Sequence, residues 1–387
     1  MLQSQSTLFT LDPEVTYVNC AYMSPLARPV AEAGRRAIAE KERPYEITVE
    51  SFFGPVRRLR EKFARLIHCD EPNRIAVIPA VSYGMATVAR NLDIRPGQNL
   101  ILLEEQFPSN YYTWQRLADD TGAEIRTVGA PAAGPDRNRE WNTRLLEAID
   151  ERTALVAIAH VHWADGTLYD LVKIRERTRE VGAALVIDGT QSVGALPFDV
   201  REIQPDALIC AAYKWLLGGY GSGLAYYGER FDGGTPIEEN WINRLDSHDF
   251  TNLVRYQPEY QPLAQRYNTG ETSNFTAVGM LDAALDLLHE WTPAGIQAYC
   301  AELVREPIAA LRARGFHVAP DDQRGAHLFG VRPPDDLDVE TLRQRLTDRR
   351  ISVSVRGAAV RISPHVYNTP EDMARLVDCL IERPRMR

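Results

Sequence analysis

The sequence predicts an α/β protein. A large domain is built on a mixed, mainly parallel seven-stranded sheet sandwiched by helices, and a small α+β domain follows it. Three observations carry that prediction. Seven short, unbroken apolar runs fill the first two thirds of the 387 residues, most of them separated by helix-patterned segments. The last two runs are joined by a glycine turn instead of a helix. Beyond about Ile237 the alternation stops. Unbroken apolar strands alternating with helices indicate a sheet buried on both faces, its parallel neighbours linked by right-handed crossovers.

In chain order the strand candidates are RIAVIPA (74–80), NLILLEE (99–105), EIRTVGA (124–130), ALVAIAHV (154–161), AALVIDG (183–189), DALICAA (206–212) and GLAYYG (223–228). Among them lie the helix candidates VSYGMATVARNL (81–92), NYYTWQRLADDTG (110–122), TRLLEAIDE (143–151) and DLVKIRERTREVG (170–182). APAAGPDRNRE (130–140) reads as a surface loop from its Pro, Gly and charge. The short link into GLAYYG suits an antiparallel strand. The stretch 238–271 reads as irregular, polar and aromatic, and TAVGMLDAALDLLHEW (276–291) as a helix. From about Pro293 the order helix, strand, helix, strand, helix describes the small domain.

Composition narrows the function classes. Apolar residues at 44% and charged residues at 25% are ordinary for a soluble globular protein. No apolar segment approaches membrane-spanning length, and MLQSQSTLFTLDPEV has no basic region or long apolar run of a secretory signal. A formal net charge of −9 argues against nucleic acid and anionic membranes as partners. Five scattered cysteines without a CxxC pair point to a reducing cytoplasm, and away from a disulfide frame or structural zinc.

Ligands of open α/β sheets sit beyond the carboxyl ends of the strands. That directs attention to Ala80-Val81-Ser82, 104–110, 160–166, 188–192 and Tyr213-Lys214. By itself Lys214, between Tyr213 and Trp215, is a snorkelling lysine at a strand end. By itself Asp188, closing AALVID, is a turn or cap residue. Together they ask for more. Burial among aromatics lowers an ammonium's pKa and favours the nucleophilic amine. A buried carboxylate needs a cation, and one can arrive with a ligand. A lysine that forms a Schiff base and an aspartate that pairs with a pyridinium nitrogen are the two protein groups pyridoxal phosphate needs. Two other readings compete. GGYGSG could cradle a dinucleotide phosphate, but a strand-like run follows it where a helix is required. His160 and His162, two apart on a strand, share a face and with Asp165 invite a metal, but no further ligand set is evident.

VIDGTQSVGALPFDV (186–200), the Tyr213-Lys214 pair before a glycine turn, RYNTGETSN (266–274) and VRISPHVYNTPED (360–372) occur in that order. With them the chain resembles the class V aminotransferases, fold-type I pyridoxal-phosphate enzymes that include cysteine desulfurases, isopenicillin-N epimerase-like proteins, selenocysteine lyases and kynureninases. The resemblance runs from YVNCAYMSPLARPV (17–30) to RISPHVYNTPEDM (361–373). It implies an N-terminal segment, 1–25, packing with the small domain, a cofactor-binding domain over 26–274 and a small domain over 275–387. Lys214 would hold pyridoxal 5'-phosphate as a Schiff base, and Asp188 would pair with the ring nitrogen. Gln191 would lie near the phenolic oxygen, with His162 a further candidate for that contact. Val81 and Ser82, at a helix N-terminus, would hold the phosphate, with Tyr213 adding a hydrogen bond. Phe107 would stack on the ring. Thr269 and Gly270, with Trp241 beside them, would reach the phosphate of a neighbouring subunit, making a homodimer part of the site. Arg361 would clamp the α-carboxylate of an amino-acid substrate.

The implied reaction is transamination by default, with β-elimination or epimerisation as alternatives on the same first step. The sequence departs from the desulfurase pattern in three places. Phe107 stands where those enzymes usually carry histidine. The loop ISVSVRGAAVRIS (351–363) is short and lacks the cysteine of a persulfide relay. Trp163 replaces a cofactor-binding asparagine. A persulfide-type cysteine desulfurase is therefore not expected.

Overall fold

The structure, a computed structural model, describes residues 2–382. Strand β1 (Thr16–Tyr17) precedes two long helices, α1 (Arg28–Lys41) and α2 (Val49–Leu66). The sheet segment then runs β2 (Ile75–Ile78), α3 (Val81–Arg90), β3 (Asn99–Leu103), α4 (Tyr112–Thr121), β4 (Glu124–Val128) and α5 (Arg137–Ala148). It continues with β5 (Thr153–Ala159), α6 (Leu171–Val181), β6 (Ala184–Asp188), α7 (Val200–Ile203), β7 (Ala207–Ala211) and β8 (Gly223–Tyr227). Helices α8 (Phe275–Trp291) and α9 (Pro293–Ala313) lead to β9 (His317–Val318), β10 (Phe329–Arg332) and α10 (Val339–Asp348). The chain closes with β11 (Ile351–Ser352), β12 (Ser354–Arg356), β13 (Ala359–Ile362) and α11 (Pro370–Ile381).

The expected fold class is the observed one. Seven strands form one sheet in the order β2-β8-β7-β6-β5-β3-β4. Only β8 is antiparallel to its neighbours, β2 and β7, as the short glycine link required. The unbroken apolar runs are explained by burial on both faces. Leu100, Leu102, Leu155 and Val186 enter one core with Met85 of α3 and Trp114 of α4. Their neighbours Ile101, Leu103, Val156 and Ile187 enter another, with Leu59 of α2, Ile174 of α6 and Leu285 of α8. Each such side chain contributes roughly 1.5–3 kcal/mol by leaving water. At the far edge β4 (EIRTV) is half exposed and correspondingly polar.

In the C-terminal part β12, β13, β10 and β9 form a four-stranded antiparallel sheet with its own core. Strand β1 pairs in parallel with β11, and Asn19 bridges to Ser363.

One local reading is corrected. The stretch 130–140 is not all surface loop: α5 begins at Arg137, which is buried because its guanidinium pairs with the carboxylate of Asp165. His160 and His162 lie just past the end of β5 at Ala159 and pack on Phe198 and Trp141 of the same core.

Candidate active site

The carboxyl ends of β2, β3, β5, β6 and β7 converge on a cavity of about 240 Å³. Lys214 enters it just past β7. It is 6% exposed, with Nζ 5.3 Å from the ring centre of Phe107 and 5.5 Å from that of Tyr213. Burial lowers its pKa from 10.5 to about 8; Asp188 opposes this, and Arg361 and Arg356 add to it. The turn beyond is held tightly. Leu217 takes φ of 58°, costly for a bulky residue, and its N–H donates to the Lys214 carbonyl at 3.1 Å. Gly194, at φ of 103°, lies so close to the Trp215 carbonyl that a Cβ would collide with it.

Asp188 is the last residue of β6 and is buried. Burial pushes its carboxyl up, while hydrogen bonds from Thr190 pull it down. One oxygen accepts the Thr190 N–H at 3.0 Å, and no described residue forms an ion pair with it. Thr190 also accepts the Ala211 N–H at 3.1 Å, which ties the ends of β6 and β7 together. A buried carboxylate that faces the cavity without an ion-pair partner suits a protonated ring nitrogen.

Val81 and Ser82 open α3 at the cavity wall. The Tyr83 and Gly84 N–H groups fold back to Ala80, and Ala80 supplies no side-chain cap. The first N–H groups of the helix are thus free for an anion such as a phosphate.

Phe107 forms a wall, edge-on to Trp163 at 5.5 Å, and the Trp163 indole donates to the Glu105 carbonyl at 2.6 Å. Tyr213 lines the cavity with its ring against Tyr220 at 4.6 Å. Gln191 lines it too, but its amide accepts from Trp215 Nε1 at 2.9 Å and donates to the Ala21 carbonyl at 3.2 Å. The ring nitrogens of His162 face the Glu104 carbonyl at 3.3 Å and Asp165 at 3.4 Å. Burial pushes the Asp165 carboxyl up, but His162 and then Arg137 hold it well below the usual range.

Arg361, on β13, is 1% exposed and does not itself line the cavity; it joins the wall through Trp163. Its guanidinium donates to the Trp163 carbonyl at 2.7 Å and to Ser354 Oγ at 3.2 Å, while Nε has no partner. Burial, then the charge of Arg356, lowers its pKa to about 9. Arg356 lies 5.2 Å over the Trp163 ring. No described carboxylate pairs with Arg361, and its Nε is left without a hydrogen bond.

Trp241, Thr269 and Gly270 do not line this cavity. Trp241 is 39% exposed in an aromatic cluster with Phe52, Phe53 and Phe250. The Thr269 N–H donates to Val77 at 3.0 Å, and that of Gly270 to the Glu238 carboxylate.

Several lining residues were not singled out from the sequence: Gln106, Asn110, Thr190, Tyr220 and Ser222. Thr190 lay inside a strand-end segment already under suspicion. Gln106 supports the wall through the carbonyls of Ala157 and Asn110, a role its residue type does not advertise.

A buried amine of lowered pKa, a buried carboxylate without an ion-pair partner and an open helix N-terminus, gathered on this sheet, define a pyridoxal-phosphate enzyme of the α/β class. Residues 48–376 match the family model "Aminotransferase class-V", and the chain belongs to that pyridoxal-phosphate-dependent family. It is 27% identical over 373 residues to an uncharacterized aminotransferase, YcbU, of Bacillus subtilis (strain 168), covering 95% of this chain and 94% of that protein. It is 26% identical over 381 residues to isopenicillin N epimerase of Streptomyces clavuligerus, covering 96% and 95%. The solved structure of the cystine C–S lyase C-DES with its product cysteine persulfide matches with a TM-score of 0.84 at 20% identity, over 96% of this chain and 98% of that one. At that identity the likeness speaks for the fold. Cysteine desulfurases are also among the relatives, so the comparisons do not support excluding that activity.

Proposed function

We propose that the protein transfers the amino group of an amino acid, with Lys214 as cofactor anchor and as the base that carries the α-proton. The observation that supports this is the presence of one suitable base. Lys214 lines the cavity with a pKa lowered by burial to about 8 and a nitrogen that no described residue hydrogen-bonds. Burial raises the Tyr213 phenol, and His162 Nε2 faces the Glu104 carbonyl. The opposite wall, Phe107 and Trp163, offers no acid. One base serves a proton shift on a single face, whereas two-base epimerisation needs a second.

Pyridoxal phosphate, when bound, supplies an electron sink next to the amine-bearing carbon. Asp188 would keep its ring nitrogen protonated, and Phe107 would cover the ring. The α3 N-terminus, with Val81, Ser82 and Tyr213, would hold the phosphate, and Gln191 and His162 would flank the phenolic oxygen. Arg361 would orient the substrate through its carboxylate and set the α-hydrogen toward Lys214 Nζ. Two copies would complete each site, with Thr269 and Gly270 of one chain, and Trp241 near them, at the other's phosphate. A persulfide relay on this chain's own sulfur is disfavoured: Cys20, Cys210, Cys300 and Cys379 are buried, and no cysteine lines the cavity.

The test is to incubate the holoenzyme with a panel of amino acids and a 2-oxo acid, then separate the products. A new amino acid paired with a new 2-oxo acid, absent with Lys214→Ala, is expected. Release of pyruvate and ammonia, or loss of chirality alone, would replace transamination by elimination or epimerisation.

A further inference from the structure

A second cavity, of about 310 Å³, lies between α2 and the irregular segment before α8, and shares no lining residue with the active site. Its chemistry is one-sided. Arg60 of α2 lines it with only 8% of its surface exposed, and neither Nε nor Nη1 has a hydrogen-bond partner. Glu61 and Glu71 act on this guanidinium only from a distance, and no described carboxylate forms an ion pair with it. Burial and the nearby charge of Arg57 lower its pKa to about 10. Arg57, whose guanidinium is already paired with Glu50 at 2.7 Å, and His248 also line the cavity, and so does the buried Thr272 hydroxyl, which has no partner of its own. No aspartate or glutamate is among the lining residues.

A buried guanidinium without a counter-ion is costly, so its retention asks for an anion. A planar donor with unpartnered nitrogens beside a free hydroxyl suits an acceptor with several oxygens. We propose that this cavity binds a small oxyanion of the sulfate or phosphate class. Such an occupant would tie α2 to the turn that carries Thr272. The inference is independent of the reaction assigned to the first cavity.

Calorimetric titration and thermal unfolding of the holoenzyme with sodium sulfate test it. Ionic strength is held constant with sodium chloride. Wild type, Arg60→Met, Thr272→Val and Arg361→Met are compared, the last as a control for the active-site cation. Wild type and Arg361→Met should bind a single sulfate per chain and gain stability with saturation. Arg60→Met should weaken binding roughly tenfold or more, and Thr272→Val several-fold. Without sulfate Arg60→Met should melt no lower than wild type, because it removes an unpaired buried charge. If Arg60→Met proves insoluble, Thr272→Val and the wild-type titration decide. Equal binding by Arg60→Met or by Thr272→Val, loss of binding in Arg361→Met, or no saturable effect on wild type would overturn the proposal. So would an Arg60→Met variant that shifts the monomer–dimer balance without any sulfate dependence, which would assign the arginine to a carboxylate of a second copy.

Discussion

Removing one charge at a time around Lys214 tests the site most directly. Burial moves this amine from 10.5 to about 8, against the pull of Asp188 and with the push of Arg361. At pH 7 an amine of pKa about 8 is roughly 9% neutral, and one of pKa 10.5 about 0.03%. The environment therefore enlarges the nucleophilic population about 300-fold. The assay mixes apoenzyme with pyridoxal phosphate in a stopped-flow cell and follows the violet absorption band as a function of pH. The capture rate should rise with pH, reach half its maximum near pH 8 and level off above about pH 9. Arg361→Met removes a positive neighbour and should move the midpoint up. Asp188→Asn removes a negative one and should move it down. Because Asp188→Asn also weakens cofactor retention, the midpoint is read and the amplitude ignored. A wild-type midpoint near 10, or shifts of the same sign in both variants, would refute the reasoning.

Three further outcomes are expected. Burial holds His160 and His365 at about 3 and His327 at about 4, against the usual 6.5. His327 is fixed neutral by geometry: Nε2 donates to the Gln191 carbonyl at 2.8 Å and Nδ1 accepts from Gln297 at 2.9 Å. Above pH 6.5 neither state is protonated and nothing is lost; below it the unfolded chain takes up protons that the folded one refuses. Stability should then fall by on the order of 1 kcal/mol per histidine per pH unit down to about pH 4. Urea melts between pH 7 and 5 check this, and a flat midpoint would contradict it. Separately, mixing inactive Lys214→Ala with inactive Gly270→Asp should restore about a quarter of wild-type activity if sites are shared between subunits; no recovery after subunit exchange would place each site within one chain. Finally, Arg361→Met should lower kcat/KM on the order of 100-fold, mainly through KM, with Arg361→Lys recovering little because it lacks the planar fork. An unchanged KM in steady-state kinetics would remove Arg361 from the substrate.

Where the sequence was legible, burial had simplified it. Strand β6 is buried along its whole length and reads as ALVID, so nothing interrupts its pattern. Strands β9, β11 and β12 have two or three residues each, too few for a periodicity to show. Arg137 was placed in a loop by local composition, yet its position is set by Asp165, 28 residues later, which no local window contains.

The site residues divide the same way. Lys214 and Asp188 were legible because the chemistry accepts few other residue types. Gln106, Thr190 and Tyr220 act through carbonyls, amides and stacking, for which many types would serve, so their identity carries little signal. Arg60 is the extreme case: on α2 it looks like any charged residue of an amphipathic helix, and only its burial sets it apart. The fold keeps several charges out of water without an ion-pair partner, and each is costly there. Burial eases the cost by moving each group toward its neutral form, down for Lys214 and Arg361 and up for Asp188, yet Arg361 stays a cation at neutral pH. A ligand that satisfied both Asp188 and Arg361 would present a cation to the first and a carboxylate to the second. A cofactor joined to an amino acid does so, and a lone metabolite carrying a single charge does not.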